Sequence, residues 1–387
     1  MQWLILIILY MAYISVGISD SLLGSTWPSM YEELNASVSY AGIVSMIIAI
    51  GTIVSNLCSF RLIKALGFKR VLEISFVLSA LSLVGFSRSS SFMELCICAV
   101  PYGLGIGAIS NALIKYVSLY YKSQHMSWLH CSWGIGSTAG PFLMGRYLLK
   151  DNGWHRGYMA VCMIHITLIV LLFASNQLWS HRGTDENLEK SQRSVSIKEA
   201  LKITGGKEVL LAFFSYSSVE ALTGLWASSY LVLARELNAQ KAASITSLFY
   251  LGITAGRFFS GFIVNRIGNR NMVRIGQCTA LIGVILLALP FKSSLILFGL
   301  LLTGIGYAPV YPGMLYATPE CFGRDLSQAF MGIQLASAYI GSTFFPPVFG
   351  LIAEYGNIKV LYPLILIVLI FLLLFATERA NKLIKLH

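Results

Sequence analysis

Long apolar stretches recur along the whole chain, and they leave it one kind of environment. They run at roughly 4–30, 39–63, 70–88, 92–121, 126–149, 155–178, 207–234, 240–264, 271–290, 294–317, 325–352 and 357–377. Each is near the ~20 residues that carry an α-helix across a hydrocarbon core ~30 Å thick. Little chain is left between them for a soluble domain. Composition agrees: 56% of the residues are hydrophobic and 12% are charged, against about 25% charged in a soluble domain. So few polar residues cannot cover a surface that meets water. Several stretches carry Gly or Pro, which membrane helices tolerate when neighbours re-satisfy the freed backbone. The expectation is an all-α membrane protein of twelve transmembrane helices.

The formal charge of +11 does not point to nucleic acid. The basic residues sit in short runs between apolar stretches rather than on one polar face. Arg61, Lys64, Lys69 and Arg70, then Arg182 to Lys207, Arg266 to Arg274, and Arg379 to Lys385 fall on one side. The other side holds fewer, among them Arg88, Arg146, Lys150, Arg235 and Lys292. Positively charged loops stay in the cytoplasm, so both termini are expected there, in a multi-pass protein of the cell membrane. The first apolar run continues through Leu23 and carries Asp20, too long and too polar for a cleaved signal peptide. The seven Cys are scattered and read as small buried residues, with no disulfide framework, metal site or cofactor.

The chain repeats itself. Tyr13, Ser15, Val16, Leu22 and Ser25 recur as Tyr216, Ser218, Val219, Leu225 and Ser228, and Glu33-Leu34-Asn35-Ala36 recurs as Glu236-Leu237-Asn238-Ala239. Ile135-Gly136-Ser137-Thr138, Pro141 and Gly145 recur as Ile340-Gly341-Ser342-Thr343, Pro346 and Gly350. Two six-helix bundles are therefore expected, at 1–178 and 207–387, joined by a cytoplasmic linker at 179–206 with an amphipathic stretch from Ser196 to Ile203. Parallel repeats of this kind hold substrate between them near the midplane.

Gly261-Phe-Ile-Val-Asn265-Arg266-Ile-Gly268-Asn-Arg270 resembles the G-x-x-x-D-R-x-G-R-[RK] loop of the major facilitator superfamily, with Asn in place of Asp. The equivalent run from Phe60 to Arg70 keeps Gly67, Lys69 and Arg70 and has Lys64 at the acidic position. The resemblance implies a cytoplasmic gate there, with Lys64, Asn265, Arg266 and the nearby Arg257 as gating residues. A narrower likeness is to the fucose/glucose–proton symporter group. It rests on Gly17 to Pro28, Leu129 to Pro141, Gly304 to Pro312 and Gly332 to Pro346. In the fucose permease an Asp on span one and a Glu on span four couple proton to sugar. Asp20 matches the first, and Ala108 stands where the second would be.

An ionisable residue inside a span is costly and is a functional candidate by default. Asp20 lies ~24 Å along span one and is a candidate proton carrier, against a purely structural cap or pair near the surface. Glu220, near the middle of span seven, occupies the repeat position of Gly17. It is a candidate replacement for the missing acid, against a buried pair with a base such as Arg257. His130 is a third proton candidate, or a packing histidine. Lys115 is a candidate for an anionic substrate, or a snorkelling lysine. Trp27, Trp133, Trp226, Tyr307, Tyr311, Asn111 and Gln334 are candidates to line a cavity, by aromatic stacking and amide hydrogen bonds, or else belt and packing residues.

Metal-spaced His/Glu clusters, a nucleophile elbow and a Walker loop are all missing from the sequence, so an enzyme and a primary pump are not expected. Gly103-x-Gly105-x-Gly107 lies inside an apolar run with no strand before it, and reads as helix packing. The expected function is secondary transport of a small polar solute, a sugar or sugar-like metabolite, by alternating access with proton coupling. The chain would act as a monomer in the bilayer with H⁺ as coupling ion. The alternative is a proton-driven exporter of drugs or amphiphilic metabolites.

Overall fold

A computed structural model describes residues 2–175, 179, 201–289 and 293–385. Among the described residues the regular structure is entirely helical: α1 Gln2–Asp20, α2 Leu22–Glu33, α3 Tyr40–Arg88, α4 Phe92–Tyr120, α5 Ser123–Tyr147, α6 Gly153–Ala174, α7 Gly206–Arg235, α8 Ala239–Ile267, α9 Asn269–Ala288, α10 Ser293–Tyr307, α11 Val310–Phe322, α12 Arg324–Tyr355 and α13 Ile358–Lys385. Among the described residues eleven stretches are long and apolar enough to cross a membrane. Helix α5 is long enough but rich in Ser and Gly; with it the twelve expected spans are present. Most of the expected linker, residues 180–200, lies outside the described residues.

The expected spans differ from the helices at three kinds of place. Span one is broken at Ser21, between α1 and α2. Ser15, Ser19, Ser21, Ser25 and Thr26 all return hydroxyl hydrogen bonds to carbonyls three or four residues back, a habit that bends helices. Span ten is broken before α11 at Ala308-Pro309, where proline cannot continue the ladder. The expected loop from Phe60 to Arg70 is almost absent. Helix runs through it except at Gly67, with φ 78° and ψ 161°. Gly268 (φ 77°, ψ 157°) and Gly323 (φ 77°, ψ 158°) break the chain between α8 and α9 and between α11 and α12 in the same way. This backbone region is essentially glycine's alone. Space does not select glycine here, because an added Cβ would meet nothing within 4 Å at any of the three.

The chain divides into two compact units, Met1–Leu188 with Ala227–Val232 and Glu236–Ser247, and Glu189–Trp226 with Leu233–Arg235 and Leu248–His387. Inside each, the fourth span packs by the same glycines. A Cβ at Gly103 would lie 2.3 Å from the Ile48 carbonyl oxygen, and one at Gly304 2.1 Å from that of Phe249. A Cβ at Gly105 would lie 2.9 Å from the Ser75 carbonyl oxygen, and one at Gly306 2.4 Å from that of Gly276. The echo of Gly103 and Gly105 in Gly304 and Gly306 is thus a repeated three-helix contact in which backbones touch directly. The repeated Ile-Gly-Ser-Thr serves a related contact. Gly136 closes on Ile14 of α1, and Gly341 on Phe214 of α7.

The outer shell is apolar, with Phe258, Phe259 and Phe262 exposed together on α8. Two cysteines expected to be buried, Cys58 and Cys278, are exposed. A lipid-facing surface accepts a small apolar thiol as readily as a core does.

Candidate functional site

In the first unit the site begins at Asp20. Every residue from Ala12 to Met30 is buried or partly buried except Asp20, which is exposed. A single accessible acid in an enclosed stretch of a span marks an opening in the packing. Trp133 of α5 reaches it, its indole N–H donating to the carboxylate at 2.9 Å. This is possible because Gly17, Gly136 and Gly140 let α1 and α5 approach to backbone contact. On α4, Tyr102 is buried beside Asp20 and Ser19.

The remaining first-unit candidates lie apart from this pair. Asn111 joins α4 to α3 by donating to the Asn56 carbonyl and side-chain oxygens at 3.4 Å. His130 is exposed on α5, edge-on to Tyr13. Lys115 is half-buried on α4. Trp27 is fully enclosed, with its N–H on the Val38 carbonyl at 2.8 Å. Its ring is a packing element rather than a lining one.

In the second unit the site is built around Glu220. Phe214, Ser217, Glu220, Ala221 and Gly224 form a partly accessible stripe along α7, flanked by buried residues. Arg257 of α8 and Tyr216 are the electrostatic partners of Glu220. Tyr307 and Tyr311 lie in the same field. Tyr216 stacks on Tyr307 at 4.9 Å and tilts against Tyr311 at 5.5 Å. The structure therefore brings together Glu220, Arg257, Tyr307 and Tyr311. Arg257 lies in this polar cluster, as the Glu220 pairing offered by the sequence expects, and about two and a half helical turns from Arg266 of the gate run.

Trp226 is enclosed, its N–H on the Pro346 carbonyl at 3.1 Å. It belongs to the packing of α7 on α12. Gln334 is also buried, exchanging hydrogen bonds with Thr318, and it borders a cleft shared with Arg270 and Thr377. At the gate runs, Lys64 and Arg266 are exposed near the glycine breaks. The side chain of Asn265 lies outside the described residues.

Two polar centres escaped the sequence reading. His165 of α6 is wholly buried between two serines. Glu33, at the end of α2, accepts from Trp154 Nε1 at 2.6 Å and His155 Nε2 at 2.9 Å. His155 Nδ1 in turn donates to the Ser87 carbonyl. Glu33 clasps α2, α3 and α6 at one end of the unit. Among the described residues no cluster of His, Cys, Asp and Glu fits a metal ion.

The sequence model of the Major Facilitator Superfamily matches residues 9–244 and again 209–385. The chain belongs to that superfamily. It is a multi-pass membrane transporter of small solutes, and not an enzyme. Among curated relatives it is 22% identical to "Bypass of stop codon protein 6" of Saccharomyces cerevisiae, over 97% of this chain and 82% of that one. It is also 22% identical to the glucose/mannose transporter GlcP of Bacillus subtilis, over 78% and 77%. Among solved structures, a nucleoside transporter, NupG, superposes with a TM-score of 0.77 at 12% identity, covering 97% of this chain and 98% of that one. The superfamily fold explains why the repeated glycines fall at the same helix crossings in both halves.

Proposed function

We propose that this superfamily member is a proton-coupled secondary transporter of a sugar or sugar-like metabolite. It acts as a monomer in the plasma membrane, with both termini in the cytoplasm, by alternating access. The observation that carries the reading is Asp20. It is the one exposed residue in an enclosed stretch of span one, and an indole donates to its carboxylate. An accessible acid inside a span can exchange a proton with water. A carboxylate beside an aromatic face also suits a polyhydroxylated ring, by hydrogen bonds and stacking. Glu220 with Arg257 and the three tyrosines offers a comparable set in the second half. Support also comes from the match to a glucose/mannose transporter and from the stretches that resemble the fucose/glucose–proton group.

The density of tyrosine and phenylalanine around Glu220, with Phe213 against Tyr311, favours a second reading, export of amphiphilic compounds. Proteoliposomes with an imposed pH gradient separate the two, using hexoses in one arm and lipophilic cationic dyes in the other. Hexose uptake driven by inward protons, and lost in D20N and E220Q, is expected. Gradient-driven uptake that survives both substitutions would overturn the proton-site assignment. Dye movement without hexose uptake would favour the exporter.

A further inference from the structure

Where α2, α3 and α6 meet at one end of the first unit, the hydrogen bonds have fixed directions. Trp154 Nε1 lies 2.6 Å from Glu33 Oε2, and His155 Nε2 lies 2.9 Å from Glu33 Oε1. His155 Nδ1 lies 2.9 Å from the Ser87 carbonyl oxygen, and Ser87 Oγ donates back to the His155 carbonyl at 2.8 Å. Trp154 and Ser87 are buried. The side chain of His155 keeps 21% of its surface and that of Glu33 49%, so water reaches the pair.

A carbonyl oxygen only accepts, so Nδ1 carries a proton. An indole N–H only donates, so Oε2 is engaged as an acceptor. That leaves the contact between Nε2 and Oε1. Without a proton there, an imidazole lone pair would face a carboxylate lone pair. One proton is therefore needed at this contact, besides the one on Nδ1. In a place open to water an imidazole holds a proton more firmly than a carboxylate does. The proton belongs to Nε2, and the ring is an imidazolium. Two surface charges free to drift apart contribute little. This ring is not free, because Ser87 holds it through Nδ1 and through its own backbone carbonyl.

The other ionisable groups at this end are engaged elsewhere or face outward. On α2, Glu32 accepts from Tyr31 at 2.9 Å. At the start of α4, Glu94 accepts from the Ser90 N–H at 2.8 Å. Tyr40, opening α3, packs on Phe92. Tyr158 of α6 is 3.3 Å from Thr26. From α5, Arg146 lies over Phe142. Arg88, Lys150, Asp151 and Arg156 are exposed.

We infer that Glu33 and His155 bind one proton between them, and that this proton holds the second half of span one against α3 and α6. When it is lost, the Nε2–H bond breaks and the proton passes to water. A neutral imidazole then has one N–H for two acceptors. It keeps the Ser87 carbonyl and turns a lone pair on Glu33, or it keeps Glu33 and gives up Ser87. Either way α6 loses a tie to α2 or to α3. The site is about 20 Å along the span from Asp20, so it is a separate place for a proton. Helix α2 has 12 residues and starts at the break directly after Asp20. What fixes its far end therefore bears on how that acid is held.

The full chain in lipid nanodiscs, with both faces open to buffer, is followed by hydrogen exchange from about pH 5 to pH 9, a range that spans imidazole switching. Rates are corrected for the pH dependence of free amides. Protection at the end of α2 and the start of α6 should fall about fivefold as pH rises. Glu33→Gln should remove that step. The introduced carbonyl accepts from Trp154, and the introduced amide N–H donates to an unprotonated Nε2, so the contact needs no proton. At the acid end E33Q should be slightly less protected than the wild type, because the charge is gone. If E33Q does not fold, ¹⁵N-histidine spectra of the wild type decide, with the His155 signals identified by their loss in H155Q. They should show an imidazolium at the acid end and a neutral ring at the alkaline end. A flat protection profile in the wild type, a step that survives in E33Q, or a ring neutral throughout overturns the inference. Neither a gradient nor a solute is present, so the result stands apart from the coupling reading.

Discussion

The indole N–H of Trp133 donates to the carboxylate of Asp20 at 2.9 Å, from α5 to the last residue of α1. A hydrogen bond to a charged group contributes about 1.5–3 kcal/mol. Trp133→Phe keeps the ring and loses the donor. Gradient-driven uptake in proteoliposomes should fall roughly tenfold or more on that scale. Asp20→Asn should abolish the gradient dependence itself while exchange of solute across the membrane persists. Equal losses in uptake and exchange for Asp20→Asn would mean the acid is structural.

Glu220 of α7 and Arg257 of α8 are opposite charges, each in the field of the other, within the second unit. Removing one member of an enclosed pair strands the other, at a cost on the order of 3 kcal/mol. Arg257→Gln should therefore lower the melting temperature in detergent more than the double variant Glu220→Gln/Arg257→Gln does. Melting curves by tryptophan fluorescence check the order. Additive losses would show that the two side chains act independently.

The glycines predict a sharp contrast. A Cβ at Gly136 would lie 2.0 Å from the Ile14 carbonyl oxygen, and one at Gly304 2.1 Å from that of Phe249. Overpacking of this kind costs about 1–3 kcal/mol, so Gly136→Ala and Gly304→Ala should reduce folded yield. Gly261 and Gly332 are helical, and an added Cβ would meet nothing within 4 Å. Alanine there should be neutral or stabilise by up to about 1 kcal/mol. Size-exclusion profiles of the four variants decide it.

The clasp at Glu33 is partly open to solvent, its side chain 49% exposed. Its hydrogen bonds from Trp154 and His155 should contribute about 1 kcal/mol after that exposure is discounted. Glu33→Gln should lower the melting temperature slightly. Hydrogen exchange should rise at the start of α6 and leave its far end unchanged. A uniform rise along α6 would count against a local clasp.

Much of the fold was legible in the chain because lipid imposes length and apolarity together. The span positions, the repeat and the packing role of Gly103, Gly105, Gly304 and Gly306 all follow from that. The breaks were harder to read. Ser21 looks like any membrane serine until five hydroxyls are seen folding back on one stretch of helix. Glu220 and Asp20 stood out as charges in apolar runs, and Arg257 was a candidate base for Glu220, yet nothing in the sequence joined Trp133 to Asp20. Arg257 and Trp133 come from other helices, and no spacing rule links residues so distant in sequence. His165 left no mark at all, since a lone histidine in a hydrophobic segment has no pattern to betray it. Trp27 and Trp226 were open to two readings, a cavity wall or packing, and both are enclosed. An indole in a span suits a cavity wall, but its N–H is equally content on a neighbouring carbonyl.

The breaks at Gly67, Gly268 and Gly323 join helices through a single residue. A joint that short has no slack. Two rods coupled by one residue cannot draw apart, so a shift of one along its axis pulls on the next. Lengthening these connections by two or three flexible residues would leave every helix intact and still uncouple their motions. The shortest stretches of chain would then be where the protein tolerates insertion least.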